Sequence, residues 1–365
     1  LWVESLVLVP MLASVLALPG VWERTGWGQP EPGIVPLQTR VTVAPIVAED
    51  SPVLAISPDG RRVALNGPDR GLMVVELPSG KPVTTIPLGT LPTPSDAVFT
   101  VDGSRLITVS FDGRLSLWSA VTGAPVGAPW QAPVDALQLA GSDLRLALVE
   151  GGARVVVVGE RGIQMWDASS GKLLDFQATA GPMTGFALAP DGSRLATVST
   201  DRVLQESALP RLTSVGGDRS LGAGRVMAMA YDDAVSLLAV ADSGSLSVYA
   251  SAAAGPANAA GTPASALWRD TRGPTAEALA FHPSAGLLLQ ADAEGRLLLR
   301  QASDGKPLGR ADPGSVSMPT PALSRIAFVP DGSRFLSLDA GGSLGLWGAA
   351  SAPQAVDLLT CAAKD

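Results

Sequence analysis

Short apolar stretches with alternating polar positions recur along most of the chain. A first stretch, such as residues 96–100, alternates in the manner of a half-buried β-strand. An Asp-Gly pair follows, and such pairs close two-residue hairpins. Next come a second apolar stretch, a glycine turn and a third stretch that ends in a bulky residue. A weaker fourth stretch, such as residues 82–88, completes the pattern. It predicts units of four antiparallel strands.

The unit repeats at a spacing of roughly 45 residues. Clear copies of one phrase, PDGSRLATV and its variants, stand at residues 58–65, 101–109, 190–198 and 330–338. Their glycines are 43, 89 and 140 residues apart, which fits one, two and three periods. Degenerate copies fill the gaps at residues 134–149, 226–241 and 276–291. The predicted turn residues are Asp59, Gly60, Asp102, Gly103, Asp191, Gly192, Asp331 and Gly332.

Seven units predict an all-β fold, a seven-bladed β-propeller with four-stranded antiparallel blades, over residues 38–353. A lone four-stranded sheet cannot bury both faces, but sheets stacked radially bury a continuous core and leave only short edges. A closed ring needs a strand from one end of the chain to complete the last blade. We expect residues 39–46 to supply this strand, although residues 354–361 also have a suitable pattern. Residues 354–365 then form a C-terminal tail.

The third stretch ends in an aromatic residue in four units. We expect these side chains in the blade cores: Trp118, Trp166, Tyr249 and Trp347. With its turns, this pattern over about residues 40–350 resembles a degenerate bacterial form of the WD40 repeat family. Only Trp166–Asp167 shows the Trp-Asp dipeptide of that family. At the same place unit one has Glu76–Leu77 and unit six has Arg300–Gln301.

The resemblance also shows what these blades lack. WD40 blades carry a buried hydrogen-bond network of Asp, His, Ser or Thr, and Trp, and this chain has a single histidine. The complete network therefore cannot form, and we expect the blades to rely on apolar packing. The resemblance implies a rigid, non-catalytic platform that binds other proteins.

The first residues do not share the repeating pattern. Residues 5–22 contain no charged side chain, and about 20 apolar residues span a bilayer as a helix. They predict a single transmembrane helix over residues 1–22, followed by a Pro/Gly-rich linker over residues 23–37. A cleaved signal peptide and a helix packed on a soluble domain are the alternatives. The expected membrane-anchoring residues are Trp2, Leu6, Leu8, Leu12, Leu16, Leu18 and Trp22.

Three stretches depart from the repeat and are candidate insertions or loops, at residues 150–162, 201–220 and 252–270. Long loops on a rigid scaffold often bind partners, and tolerated insertions are about as common. Trp130 and Trp268 lie in such connections. An exposed tryptophan there favours a contact site, and packing back on its own blade is the commoner outcome.

The composition limits the chemistry that the chain can perform. One cysteine, Cys361, and one histidine, His282, exclude a disulfide framework and Cys- or His-rich metal sites. The aspartates that recur once per unit are typical of turns, and His282 in a His-Pro pair is expected in a turn as well. The sequence predicts no catalytic residue, no cofactor and no metal. The net charge of −8 argues against nucleic acid as a partner.

These observations predict a membrane-tethered propeller scaffold that is not an enzyme and that mediates protein–protein interaction. We expect an accessory subunit of a larger membrane assembly. Its partners would be other integral membrane subunits and, through the N-terminal helix, the lipid bilayer. An extracytoplasmic sensor or ligand-binding propeller of a longer receptor is the main alternative, and a propeller enzyme using the central channel is another. Because a helix near the N-terminus usually exports the domain that follows, we expect the propeller on the periplasmic side.

Overall fold

The structure is a computed structural model in which seven antiparallel sheets are arranged as the blades of a propeller. It describes residues 34–42, 54–67, 70–89, 91–131, 144–159, 162–178, 182–209, 211, 213–251, 265–311, 323–339 and 343–349. Six of the sheets have four strands. The sheet of blade 2 has three named strands, and single bridges from Pro125 and Trp130 to its outer strand stand where a fourth would lie. The predicted seven-bladed all-β fold is confirmed.

The strands follow the chain from the centre of each blade to its rim. Blades 1 to 3 contain β2 (Leu54–Ile56), β3 (Arg62–Asn66), β4 (Leu72–Glu76), β5 (Pro82–Ile86), β6 (Pro94–Phe99), β7 (Arg105–Ser110), β8 (Leu115–Ser119), β9 (Arg145–Val149), β10 (Arg154–Gly159), β11 (Gly162–Asp167) and β12 (Leu173–Ala178). Blades 4 and 5 contain β13 (Met183–Leu188), β14 (Arg194–Ser199), β15 (Val203–Ala208), β16 (Thr213–Ser220), β17 (Val226–Tyr231), β18 (Leu237–Asp242), β19 (Ser245–Ala250) and β20 (Trp268–Asp270). Blades 6 and 7 contain β21 (Ala276–Phe281), β22 (Leu287–Asp292), β23 (Leu297–Gln301), β24 (Pro307–Ala311), β25 (Leu323–Phe328), β26 (Arg334–Asp339) and β27 (Ser343–Ala349).

Two stretches expected to depart from the repeat are ordinary blade strands. Residues 150–162 contain a short 3-10 turn and then β10, whose four valines are buried because they pack between neighbouring blades. Residues 201–220 contain β15 and β16, which complete blade 4. The expectation of inserted loops was wrong at both places. Of residues 252–270, only the last six are described, and they include β20.

The core consists of apolar clusters between adjacent blades rather than one central core. Seven clusters are present among the described residues, one at each interface of the ring. The cluster between the first and last blades, for example, joins Val63 and Val75 to Leu336 and Leu346. Burial of an aliphatic side chain contributes about 1.5–3 kcal/mol, so each blade depends on its two neighbours.

The ring is closed by β1 (Ile34–Thr42), which pairs antiparallel with β27 as the outermost strand of blade 7. Closure by a strand from the N-terminal side was expected. The strand begins at Ile34, inside the segment interpreted as linker, and it ends at Thr42, whereas residues 39–46 were expected. Pro36 has no N–H to donate, and an outermost strand with a register shift at this place tolerates it.

The hairpin turns differ in length from the two-residue prediction. In blade 1 the Ser57 N–H donates to the Arg62 carbonyl, which leaves four residues in the loop. Asp59 lies within the loop, and its carboxylate accepts the Arg61 N–H at 3.0 Å. Only Gly60 has a positive φ, of 66°, whereas a two-residue Asp-Gly turn of type I′ needs positive φ at both residues. Asp102–Gly103, Asp191–Gly192 and Asp331–Gly332 occupy the corresponding loops.

No helix within the described part of the chain is long and apolar enough to cross a bilayer. The predicted transmembrane helix over residues 1–22, with all its anchoring residues, lies outside the described residues, as does the predicted tail at 354–365.

Candidate binding faces

The direction of the strands divides the propeller into two faces. The turns that join the first and second strands of the blades all lie on one side, which we call the hairpin face. Turns of adjacent blades touch there, as Gly60 does with Pro330 and Gly332 with the His282 ring. The turns between third and fourth strands lie on the same face, because neighbouring strands are antiparallel. On the opposite side, the connection face, the chain passes from the rim of one blade to the centre of the next.

On the hairpin face the central channel opens into an apolar cavity of about 550 Å³. Its walls are the last residues of innermost strands and the prolines that follow them, among them Leu188, Pro190, Phe281, Pro283, Phe328 and Pro330. Asp233 supplies a carboxylate at its edge. Burial, reinforced by the nearby charge of Asp232, raises the pKa of Asp233.

The exposed large apolar side chains of the described residues also lie on the hairpin face. Each of them is in a first or second hairpin turn or at the start of an outermost strand, and their exposed fractions range from 39% to 58%. They are Val83, Val101, Val121, Leu174 and Leu267. The register places all five near this face, since outermost strands begin where third strands end.

On the connection face the channel opens into a smaller and more polar cavity of about 280 Å³. Three arginines from three blades contribute to its wall, namely Arg145, Arg225 and Arg325. Glu277 and the hydroxyl groups of Thr184 and Ser324 lie beside them. The two mouths of the channel therefore differ in character, apolar on one face and polar with excess positive charge on the other.

The predicted blade-core aromatic residues face the preceding blade. The Trp118 indole N–H donates to the Thr108 hydroxyl at 3.0 Å, and Trp347 donates to the Ser337 hydroxyl at 2.8 Å. In blade 3, Trp166 donates to the side-chain carbonyl of Gln164 at 3.1 Å. The sequence led us to expect blades held by apolar packing, but these hydrogen bonds hold them as well. The tryptophan and hydroxyl half of the WD40 network is present without a histidine.

A profile of the WD40 family, described as WD domain, G-beta repeat, matches residues 85–119. The match runs from the outermost strand of blade 1 to the residue after Trp118, which is the tryptophan bonded to Thr108. The chain is a WD40-like β-propeller. A comparison with curated proteins finds no match.

Blade 6 of this WD40-like propeller replaces the tryptophan and its hydroxyl partner with another polar pair. Arg300 stands opposite Leu288, as Trp118 stands opposite Leu106, and its Nε donates to the Gln290 side chain at 3.1 Å. Arg300 also bonds Asp270 of blade 5 at 2.6 Å. Burial opposes ionisation of Asp270, but backbone donors and the Arg300 charge outweigh it and lower the pKa of this carboxyl.

The register of β3 and β4 in blade 1 shows that Glu76 was wrongly placed at the position of the aromatic residues. Val75 stands opposite Val63, at the position that aromatic residues occupy elsewhere. Glu76, which was placed there from the sequence, is the next residue and is exposed. Val75 packs in the cluster between blades 7 and 1.

The interface between blades 4 and 5 of the WD40-like propeller contains a buried ionic cluster. Arg219 forms an ion pair with Glu206 at 3.0 Å, and both side chains are less than a tenth exposed. Tyr231 and Ser251 of blade 5 donate to the other carboxylate oxygen at 2.9 and 2.8 Å. Tyr249 lies beneath the Arg219 guanidinium, 5.6 Å from its ring centroid. These contacts assign Glu206 a role in joining blades.

Both tryptophans of the predicted loops pack on the following blade, not on their own. Trp130 stacks on Trp166 with ring centroids 6.5 Å apart and covers Gly171. Trp268 donates from its indole N–H to the Ala302 carbonyl at 2.7 Å and covers Gly305. Both rings therefore contribute to blade interfaces, and neither is fully exposed.

His282 is placed in a turn on the hairpin face, as the sequence predicts. Its Nδ1 accepts the N–H groups of Ser284 and Ala285, each at 3.1 Å. Burial lowers the pKa of His282. Cys361 lies outside the described residues, and the described part of the chain contains no group of three or more His, Cys, Asp or Glu side chains suited to a metal ion.

Sequence reasoning missed both channel mouths. Arg145 and Arg325 occupy equivalent register positions in two innermost strands, and Arg225 immediately precedes a third. Aligning the seven units by their first strands would therefore have placed all three arginines at the same end of the blades. The apolar character of the hairpin face could have been found in the same way, from Val101 and Val121 in two turns of one blade.

Proposed function

We propose that this WD40-like propeller is a protein-interaction scaffold that docks on a membrane protein through its hairpin face. The observation that carries the proposal is the placement of all five exposed large apolar side chains of the described residues on that face. Apolar side chains that are exposed together mark interaction sites, whereas ones scattered singly over a surface are ordinary. The apolar mouth of the channel lies in the middle of the same face.

The path of the chain supports a membrane partner. Ile34, where β1 begins, pairs with Ala349, where β27 ends, so both ends of the described chain lie at the hairpin face. If residues 1–22 form the proposed membrane anchor, residues 23–33 join it to Ile34 and span at most about 40 Å. Such a tether turns the hairpin face toward the bilayer and toward extramembrane parts of neighbouring subunits. We propose an extracytoplasmic location for the propeller, because a membrane helix near the N-terminus usually exports the domain that follows it.

The partner is proposed to be a protein surface rather than lipid headgroups. The hairpin face carries exposed carboxylates beside its apolar side chains, Asp59, Asp102 and Asp191 among them. Exposed lysines of the turns between third and fourth strands, Lys81, Lys172 and Lys306, lie on the same face. This mixture of both charges with apolar side chains suits a protein interface, which combines apolar contacts with a polar rim, better than a uniformly anionic headgroup layer. No catalytic step is assigned to the propeller.

The docking is tested by photocrosslinking in cells. A photoreactive amino acid at position 121 of the full chain should crosslink to an integral membrane protein, and one at Thr271 on the connection face should not. Adding V101E should reduce the yield at position 121 at least 10-fold, because a buried carboxylate opposes docking. The matched control is Thr200→Glu on the connection face, which should leave the yield unchanged. Equal yields from positions 121 and 271, or no effect of V101E, would contradict the proposal.

The tether is tested separately by fractionation. The full chain should stay with membranes through an alkaline carbonate wash, and a chain that begins at residue 34 should be released. Recovery of the full chain in the soluble fraction would refute the membrane anchor and leave the crosslinking result standing.

A further inference from the structure

The innermost strands carry a bulge at the same place in five blades. In blade 4, Met183 pairs with Ser199 and Gly185 with Val198, so that Thr184 is an extra residue. The corresponding extra residues of blades 2, 5, 6 and 7 are Ser95, Met227, Glu277 and Ser324. Bulges redirect side chains and are common beside functional sites. Four of these five residues line the connection-face cavity.

The same cavity collects positive charge on an acidic protein. Among the described residues, Arg145, Arg225 and Arg325 line it together with one carboxylate, that of Glu277, whereas the whole chain has a net charge of −8. Arg225 is exposed, and Arg145 and Arg325 are partly buried. A concave wall with low polarisability behind it concentrates the field of such charges. The Thr184 and Ser324 hydroxyl groups donate to backbone carbonyls, so they offer the cavity only oxygen lone pairs and the arginines supply the donors for an anion.

We propose that the connection-face mouth of the channel binds a compact polyanion, a group of closely spaced carboxylates or phosphates. Guanidinium groups bind both kinds of oxygen anion in bidentate fashion. A cavity of about 280 Å³ holds the volume of roughly nine liquid waters, at about 30 Å³ each. That volume admits a tricarboxylate, a diphosphate or two adjacent acidic side chains. The ligand is thus a free small anion or an acidic segment of a protein.

Two substitutions of opposite sign test the site. Binding of citrate, pyrophosphate and a synthetic hexaglutamate peptide to the full chain would be measured by calorimetry at low ionic strength. Arg225→Glu should weaken the best probe at least 10-fold, because it reverses one of three charges. Glu277→Gln should strengthen it about 3-fold or more, because it removes the one carboxylate of the described lining. The matched control is Arg272→Glu, an exposed arginine of the connection face that does not line the cavity, and it should change affinity less than 2-fold.

The comparison of probes identifies the source of the anion. Tighter binding of hexaglutamate than of citrate and pyrophosphate assigns the site to an acidic protein segment, and the reverse order assigns it to a small anion. No binding of any probe at 10 mM, or equal losses in R225E and R272E, would overturn the proposal, as would unchanged affinity in E277Q. The site is independent of the proposed docking, since V101E on the opposite face should bind the probes as the unsubstituted chain does.

Discussion

The aspartates of the hairpin loops are held ionised by hydrogen bonds at close range. Asp102 accepts the Thr100 hydroxyl at 2.6 Å, the Ser104 hydroxyl at 2.7 Å and the Ser104 N–H at 3.0 Å. These donors, that of Thr100 above all, lower the pKa of Asp102 from 3.8 to about 2. Donation to the ionised form stabilises it, so the loop is most stable when the carboxylate is charged.

This arrangement predicts a loss of stability in acid. The pKa of Asp102 is lower in the folded chain than in the unfolded chain, so its contribution is complete above about pH 4 and disappears as the pH falls toward 2. Asp102→Asn should therefore be less stable than the unsubstituted chain at pH 7, by less than about 1 kcal/mol because the side chain is exposed. The difference, measured by urea unfolding from pH 7 to pH 3, should shrink with acidification. Asp304→Asn, at a loop carboxylate with one backbone donor, is the control, and a constant difference for Asp102→Asn would contradict the prediction.

At the scale of single residues, the sequence indicates which positions are buried better than it indicates their partners. Trp118, Trp166, Tyr249 and Trp347 stand out because a bulky residue ends an alternating stretch. Their partners depend on register across strands, which periodicity does not specify. The replacement of a Trp–hydroxyl pair by Arg300 and Gln290 is visible only when the two strands are placed side by side.

Adjacent blades are joined by polar contacts as well as by apolar clusters. The Glu206 carboxylate at the interface of blades 4 and 5 is satisfied by Arg219, Tyr231 and Ser251. Burial, reinforced by the Glu206 charge, raises the pKa of Tyr231 far above its usual value, so the phenol stays protonated and keeps donating. Removing the Arg219 cation alone would leave the buried Glu206 carboxylate without its ion-pair partner.

Arg219→Met should therefore cost about 3–5 kcal/mol in the free energy of unfolding, the usual result of breaking a buried ion pair from one side. The double variant with E206Q should recover more than half of that loss, because neither charge of the pair remains. Arg269→Met is the matched control. Arg269 is nearly half exposed and lies 3.8 Å from Asp242, so its loss should cost less than about 1 kcal/mol. If urea unfolding shows equal losses for the two single variants, the cluster is not a joint between blades.

At the scale of elements, strands were easier to predict than the connections between them. Alternation and the Asp-Gly phrase locate the first two strands of nearly every blade. The loop around Asp59–Gly60 is longer than its dipeptide suggests, because hairpin length depends on the φ values of both residues. The valines of β10 looked like an insertion, since a strand buried on both faces does not alternate. The bulges of the innermost strands have no sequence signature of their own.

At the scale of the whole molecule, the period of about 45 residues predicts the number of blades and the closed ring. Predicting the difference between the two faces requires knowledge of which turns lie together in space. Val101, Val121 and Leu174 are unremarkable in a linear sequence, and they become one feature only when antiparallel pairing assigns all first and last hairpin turns to the same side. The arginine-lined mouth likewise arises from residues far apart in the chain.

Closure of the ring depends on β1, which completes blade 7 from the opposite end of the chain. Within the described chain, its six residue pairs with β27 form the only hydrogen-bonded strand pairing between the first and last parts of the chain. A chain that begins at residue 43 would expose the β27 edge and release blade 7 from the N-terminal segment. Exposed edges pair with other chains, so the loss should appear both as lower stability and as self-association.

We therefore expect the chain beginning at residue 43 to unfold at least about 10 °C below one beginning at residue 34, which keeps β1 and serves as the control. A loss of several kcal/mol corresponds to a shift of this size in a domain of more than 200 residues. Adding a synthetic peptide of residues 34–42 should raise the midpoint again, with the logarithm of the peptide concentration once the site is mostly occupied, because it supplies the missing strand in trans. A scrambled peptide should not. If both chains unfold at the same temperature, β1 is an appendage and the apolar interfaces alone hold the ring together.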